Sequence, residues 1–519
     1  MLTINANTAV ATANATGNAI VDVVGITASG NVNVSATGYS FANVDVDNLS
    51  IAAMSVGLMS GAAKAAGTFN ATFKVSGTAT ITGDLSITAN YQDVASAEVI
   101  PAGAGVSGGL ASIGANTAVA LANTVSKASI EGAGTVNVNK IAGTTNTGNV
   151  TVTNTGIVKA DADVGQPYFT VAAVTVTSNI AVATLAAQQS AGISCGTLSA
   201  NGAVIVTSNT NETVEDGKYP MANATLGKNS NLWTGKSETG YSVTISAVAA
   251  NVNVAVALAD VTSHAYISGT NLTKAPSLKV TTNGTSIANA DVTVSATLGY
   301  MAVGLNNMTA TSAGDFRSFV DTKQNANVSA DSISVETTYE SQANAASRQP
   351  NGGVGATLAA YSYNANIATA VAKTIAEAKI CGSGKVTATT GKIIVKVTGN
   401  GKAEATNEQP KVSVSGINIA ANVNTATFAA TQKALIDGPT VSGKTGVEVT
   451  STFNEDGKEA ATAYIGGTGV SASLVGAGVS TAVATAAVTS IAKMQDFPVA
   501  DTITAVVPQT LASSSTHMA

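Results

Sequence analysis

Asn251-Val-Asn-Val-Ala-Val-Ala-Leu-Ala-Asp-Val-Thr-Ser-His-Ala-Tyr-Ile-Ser-Gly269 is the stretch that decides the fold. Val252, Val254, Val256 and Leu258 fall on one face, and Asn253, Ala255 and Ala257 on the other. Alternation with a period of two is the mark of a β-strand. The closing Ile267-Ser-Gly269 reads as a strand end running into a turn, because glycine tolerates positive φ.

The same phrase recurs along the chain, and internal repeats fix architecture. Its anchor is a β-branched or apolar residue, usually followed two positions on by glycine. Anchors stand at Val75, Ile130, Ile193, Ile267, Val320, Ile380 and Ile436, with a worn copy at Met494. Subtracting successive anchor numbers gives 55, 63, 74, 53, 60, 56 and 58, which cluster near 57. The long spacing contains the polar segment 211–240, which reads as an inserted surface loop. Before each anchor runs an Ala/Val strand, such as Thr117–Ala122 or Asn366–Ala372, and after it a Val-x-Val strand, such as Val395-Lys-Val397. Helix-capping signals with 3.6-residue stripes are sparse.

These features predict an all-β chain, an elongated right-handed parallel β-helix built as one repetitive unit over residues 1–519. Each period would divide into three rungs of about 19 residues. Roughly 25 rungs at ~4.8 Å would make a rod of about 100–120 Å. Val, Ile and Leu are expected to point inward. The alanine face is expected to be covered by a loop, a neighbouring sheet or another copy. A series of β-sandwiches would need periods of about 100 residues.

Composition narrows the function. The chain has 45% hydrophobic, 10% charged and 4% aromatic residues, a net charge of -6, and 50 glycines. Apolar content this high with so little charge is not the signature of disorder. No Lys/Arg run suits a nucleic-acid partner. No apolar run reaches the roughly 18 residues that read as a membrane-spanning helix. One Trp is too few for a barrel's aromatic girdles. Two cysteines, Cys195 and Cys381, make no disulfide framework. The amino terminus lacks a signal-peptide pattern. Residues 508–519, with Ser513-Ser-Ser-Thr-His-Met-Ala519, read as an appended tail, so a mature piece of something longer is expected.

Few residues invite chemistry. His264 stands in the repeat strand, where an outward structural role is expected. No Cys-x-x-Cys, His-Glu-x-x-His, EF-hand or nonapeptide calcium motif occurs, so neither metal nor cofactor is expected. Asp45/Asp47 and Asp161/Asp163 each place two carboxylates on one strand face, about 7 Å apart. Such pairs suit glycoside cleavage or calcium, and also an ordinary solvated strand face. The insert carries Tyr219, Lys228, Trp233 and Lys236, the residues expected to bind a ligand if any loop does. Thr-x-Thr runs such as Thr151-Val-Thr153 would bind ice only if they lay in register on consecutive rungs.

The phrase seen in Asn251–Val280, Asn364–Val397 and Ile417–Val449 resembles repeats of large secreted filamentous adhesins, closest to the leukotoxin-like and filamentous-haemagglutinin-like families. The resemblance covers most of the chain and implies an extracellular, cell-surface β-solenoid that displays binding loops and brings no catalytic residues. The Asn-Pro-Asn-type secretion motif of such exoproteins is not visible. Three readings follow. One is an adhesive or structural solenoid with a host-cell, glycan or self-surface receptor and self-association. The second is a β-helical polysaccharide lyase, hydrolase or phage depolymerase using the Asp pairs. The third is a self-assembling fibre or surface-layer subunit.

Overall fold

The computed structural model describes residues 2–48, 54–101, 106–141, 143, 147–165, 169–210, 221–230, 237–239, 243–293, 296–348, 356–408, 412–455, 457–466, 470–495, 503–506 and 513–517. Those residues form two sheets with no α-helix. The described residues wind through nine coils. Each contributes one long strand to the first sheet, turns a corner, and returns along the second. The long strands are Leu2–Val23, Met54–Val75, Val106–Asn139, Phe169–Ala200, Val243–Ser268, Ala296–Thr322, Ala356–Gly382, Val412–Asp437 and Val470–Gln495. The return strands include Val32–Asn48, Leu85–Pro101, Val150–Gly165, Leu278–Thr293, Ile333–Arg348 and Ile393–Glu408. Among the described residues, strands pair in parallel throughout, apart from a short hairpin between Lys228–Ser230 and Ser237–Thr239.

The sequence anchors are hydrogen-bonded neighbours. Ile130 pairs with Ile193, and the column continues through Ile267, Val320, Ile380, Ile436 and Met494. The first anchor is misplaced by two positions, since Ile130 pairs with Phe73 rather than Val75. The anchor glycines mark the corner: Gly132, Gly269, Gly382 and Gly438 have φ of 106°, 64°, 105° and 94°. A side chain would be strained there.

This register corrects the expected dimensions. One repeat is one coil, not three rungs. Nine coils stack to only about 40 Å, whereas a 26-residue long strand runs about 85 Å. The molecule is a flattened slab rather than a thin rod. The insert is corrected too. Met221–Ser230 lies in the second sheet between Val150–Gly165 and Leu278–Thr293, and Ala222, Ala224 and Leu226 are fully buried. The tail residues Ser513–His517 pair with Ala461–Ile465.

The two faces of the long strands are reversed from expectation. Ala255, Ala257 and Ala259 are fully buried, while Val252 and Leu258 are 37% and 38% exposed. The alanine stripe is covered by the second sheet of the same chain. Small inward side chains let the two layers approach, and the return strands supply the bulk from Leu278, Val280, Ile333, Val335, Ile393 and Val395. Large inward rings occur where glycine clears space. Phe69 stacks on Tyr91 at 5.9 Å and Phe316 on Tyr339 at 6.1 Å. A Cβ on Gly38 would come within 1.9 Å of Phe69, and one on Gly284 within 2.0 Å of Phe316.

Polar residues inside the slab are arranged as ladders. Asn116 donates to Asn179 at 2.8 Å, Asn179 to Asn253 at 2.9 Å, and Asn253 to Asn306 at 2.7 Å. The chain of amides goes on through Asn366 and Asn422 to the Ser480 hydroxyl. Each amide donates to one coil and accepts from the other, so a buried column is satisfied without charge. Other polar groups bridge the layers, as where Gln432 donates to Ser451 at 2.9 Å and to Ser490 at 2.8 Å.

Asp93 is the costly exception. It is fully enclosed, receives a hydrogen bond from the Thr124 hydroxyl on one oxygen, and has no partner on the other. Burial pushes its carboxyl up to about 6, against the Thr124 hydrogen bond, which pulls it down.

Three outcomes follow. Asn253→Ala leaves Asn179 and Asn306 each short of a partner, and should cost roughly 2–4 kcal/mol in urea unfolding. Asn18→Ala, at the exposed Asn70–Asn18 pair, should cost about 0.5 kcal/mol or less. Asp93 holds its proton more tightly folded than unfolded, so its contribution is greatest below the normal carboxylate range and is lost as pH rises through about 6. Asp93→Asn should flatten stability between pH 4 and 7 and raise it at pH 7. An unchanged pH profile would contradict the assignment.

Candidate binding face

The outer face of the long-strand sheet is divided along the strand. Its first half is apolar because the outward positions before and after an aligned bulge carry large aliphatic and aromatic residues. The register skips one residue at Ala247, Tyr300, Ala360, Gly416 and Leu474, so the bulge repeats coil after coil. A bulge puts two consecutive side chains on one side. Next to it run the columns Leu358–Val414 and Val248–Met301–Tyr361–Ile417–Val475. Beyond it, Tyr363 lies beside Ile419, Val252 beside Leu305, and Ile367 beside Val423. Apart from the half-buried Val248, these side chains are exposed, from 36% at Ile367 to 59% at Val475.

From Ile245 to Leu258 the strand covers about 43 Å, and several coils contribute, so the apolar area is on the order of 1,000 Å². Monomeric soluble proteins rarely expose more than a few hundred Å² of contiguous apolar surface. Parallel, in-register pairing across the coils makes it one continuous sheet face.

The second half of the same face is charged. Arg317 grips Asp315 with Nε and a terminal nitrogen at 2.6 and 2.9 Å, and His264 Nε2 lies 3.5 Å from the same carboxylate. Burial pushes Asp315 up, but the two hydrogen bonds and the charge of Arg317, with His264 close by, outweigh it and hold the carboxyl below its usual range. A shallow groove runs beside it, lined by Asp260, Asp315, Lys373, Ile375 and Thr431. His264 is thus an outward strand residue in an ion-pair cluster.

The predicted acids are brought to one place. Asp45 pairs in register with Glu98, and Glu98 with Asp163, on the outer face of the return sheet. Asp47 stands two positions along from Asp45, and Asp161 two before Asp163. Burial first, then the Asp45 charge, pushes Asp47 above its usual range. Asp161 accepts from Lys159 at 3.0 Å and Asn223 at 2.9 Å, while Asp163 is buried. On the same strand as Asp45, Tyr39 and Phe41 stack at 6.3 Å and are 63% and 56% exposed. Among the described residues no group of His, Cys, Asp or Glu is placed to hold a metal.

Of the insert residues, Tyr219, Trp233 and Lys236 lie outside the described residues. Lys228 lies in the strand Met221–Ser230, its backbone paired with Thr239. Cys195 and Cys381 are free, and burial pushes each thiol up to about 11, with Asp321 adding at Cys381. Thr153 lies in a column with Thr88, Thr207 and Thr281, but Thr151 pairs with Ser86 and Ile205, so that run gives one threonine column and not the two in register that ice binding would need. No described helix is long and apolar enough to cross a membrane.

The sequence reading missed the apolar face because it placed those residues inside. The available signal was the alanine column itself, since a layer of alanines can be as well buried as a layer of valines when the opposing sheet brings the volume. No protein-family model, no curated protein and no solved structure matches this chain.

Proposed function

We propose that the chain is a non-enzymatic structural and adhesive β-solenoid of the extracellular space, displayed on a bacterial cell surface or built into a filament. The observation that supports it is the continuous, exposed apolar half-face of the long-strand sheet. A surface of that size in water is destabilising unless covered, and an open sheet face suits another broad surface better than a small ligand, which needs a concave pocket. The contact is many weak, similar side chains repeated coil after coil, so binding grows with area. The adhesive surface moves from the expected alanine stripe and the insert loop to Val252, Leu305, Ile367, Tyr363, Ile419 and their neighbours. The charged half beside it orients a partner, whether a receptor or another copy.

A second reading, cleavage of a polysaccharide, has one observation in its favour. Asp45, Glu98 and Asp163 share a column, with Asp47 and Asp161 alongside and an exposed aromatic pair on the same strand. Aromatic faces and paired carboxylates are what glycan cleavage uses. Asp161→Asn combined with Asp163→Asn would abolish such an activity on acidic polysaccharides.

The first reading is tested by charge on the apolar face. Leu305→Lys with Ile367→Lys should lower retention on octyl beads, and adhesion of coated particles to cells, at least tenfold. Both sites are exposed, so the melting temperature should move by only a few degrees. Lys373→Ala with Lys433→Ala, Lys433 being the register partner of Glu377 in the charged half, should leave bead retention within about twofold. Retention of the double lysine variant at the parent level would remove the basis of the proposal.

A further inference from the structure

We propose that copies of this chain stack end to end, the last long strand of one copy pairing in register with the first long strand of the next. The inference deepens the structural reading above and rests on it for its purpose, while its geometry is independent of the apolar face. Among the described residues, Leu2–Val23 pairs within the long-strand sheet only with Met54–Val75, and Val470–Gln495 only with Val412–Asp437. Among the described residues each of these two strands therefore has one edge with no strand partner in that sheet, the first 22 residues long and the last 26. Such an edge is a template for another strand.

The two edges match each other. Followed partner by partner through the eight register steps, Thr8 leads by way of Ser60, Ile180 and Ile367 to Thr481. One further step, into a second copy, sets Thr481 against Thr8. Thr481-Ala-Val-Ala-Thr-Ala486 then stacks on Thr8-Ala-Val-Ala-Thr-Ala13, an identity of six in six. Neighbouring coils within the chain agree at no more than three of these six positions. The ends are thus more alike than any adjacent pair between them.

Among the described residues the inward columns stop at these two strands, and the stack would close them on each other. Ala9, Ala11, Ala13, Ala482, Ala484 and Ala486 are only partly buried, although their counterparts Ala255, Ala257 and Ala259 are fully buried. The stack would bury them. The asparagine ladder, which ends on Ser480, would meet Asn7 of the second copy at the next step. No two charged residues oppose each other along the stacked strands: Lys493 falls against Ile20, and Asp22 against Gln495. The return sheet continues as well, with Ile503 falling against Val32 after its own eight steps. The contact joins two different surfaces by a step that does not close, so it generates an open filament.

Cysteine pairs report the register. In a Cys195→Ser, Cys381→Ser background, one batch carries Thr8→Cys and the other Thr481→Cys. In-register neighbours stand about 4.8 Å apart, within disulfide reach, whereas Thr485→Cys would stand about 13 Å along the strand from Thr8→Cys. Under oxidation the Thr8/Thr481 mixture should give at least tenfold more cross-linked dimer than the Thr8/Thr485 mixture. The unmodified chain should sediment as species that lengthen with concentration. Ala484→Lys puts an inward charge on the edge and should return it to monomer with an unchanged circular dichroism spectrum. Leu305→Lys with Ile367→Lys should leave cross-linking unchanged, which separates this inference from the adhesive one. Equal yields from the two cysteine mixtures, or monomer alone at every concentration, would overturn it.

Discussion

Parallel, in-register pairing of one coil on the next is the constraint from which the rest follows. Each residue then has, above and below it, the residue at the same position of the neighbouring coil. A column must therefore be built from side chains that tolerate their own kind at about 4.8 Å. Alanine does so without volume conflict, and asparagine does so by donating one way and accepting the other. The unbroken amide ladder from Asn116 to Asn422 is this rule applied to a buried polar group. The stacked outward pair Tyr266 and Phe319, at 5.3 Å, is the same rule applied to rings.

Much of the fold was legible in spacing alone. Six of the seven anchor spacings are the register offsets themselves, because the anchor lies at the corner where every coil must turn and glycine permits the turn. The error at Val75 has a local cause. Val23 and Val75 share a column, but the next coil passes its corner at Gly132, and Phe73 takes the place beneath Ile130. The number of rungs per repeat was not legible. A period near 57 is compatible with one wide coil or three narrow ones, and only the pairing partner of a residue decides between them.

The candidate face was hidden for a different reason. Alternation separates two faces but carries no label for the inside. The rule that larger apolar residues go inward fails here because burial depends on the two layers together. Ala255 and Ala257 are buried by what the return strands bring to them, and Val252 and Leu258 are left facing water. The Asp45 and Asp163 carboxylates lie far apart in sequence and come into one column only through two register steps.

The same constraint accounts for the composition. A charged residue at one position of every coil would set like charges about 4.8 Å apart, roughly 1 kcal/mol of repulsion per neighbour even at the dielectric of water. Charges are accordingly few and staggered, or matched across coils as Lys74 is with Asp22 at 2.8 Å. A chain with 10% charged residues is what a stack of identical positions requires rather than an accident of usage. The column Asp45–Glu98–Asp163 breaks the rule in three consecutive coils. Its repulsion has to be offset by neighbours, and Lys159 brings a positive charge to Asp161, two positions away from Asp163 on the same strand. A cluster of like charge held in register against its own cost is the place on the return sheet where the stacking rule has yielded to something else.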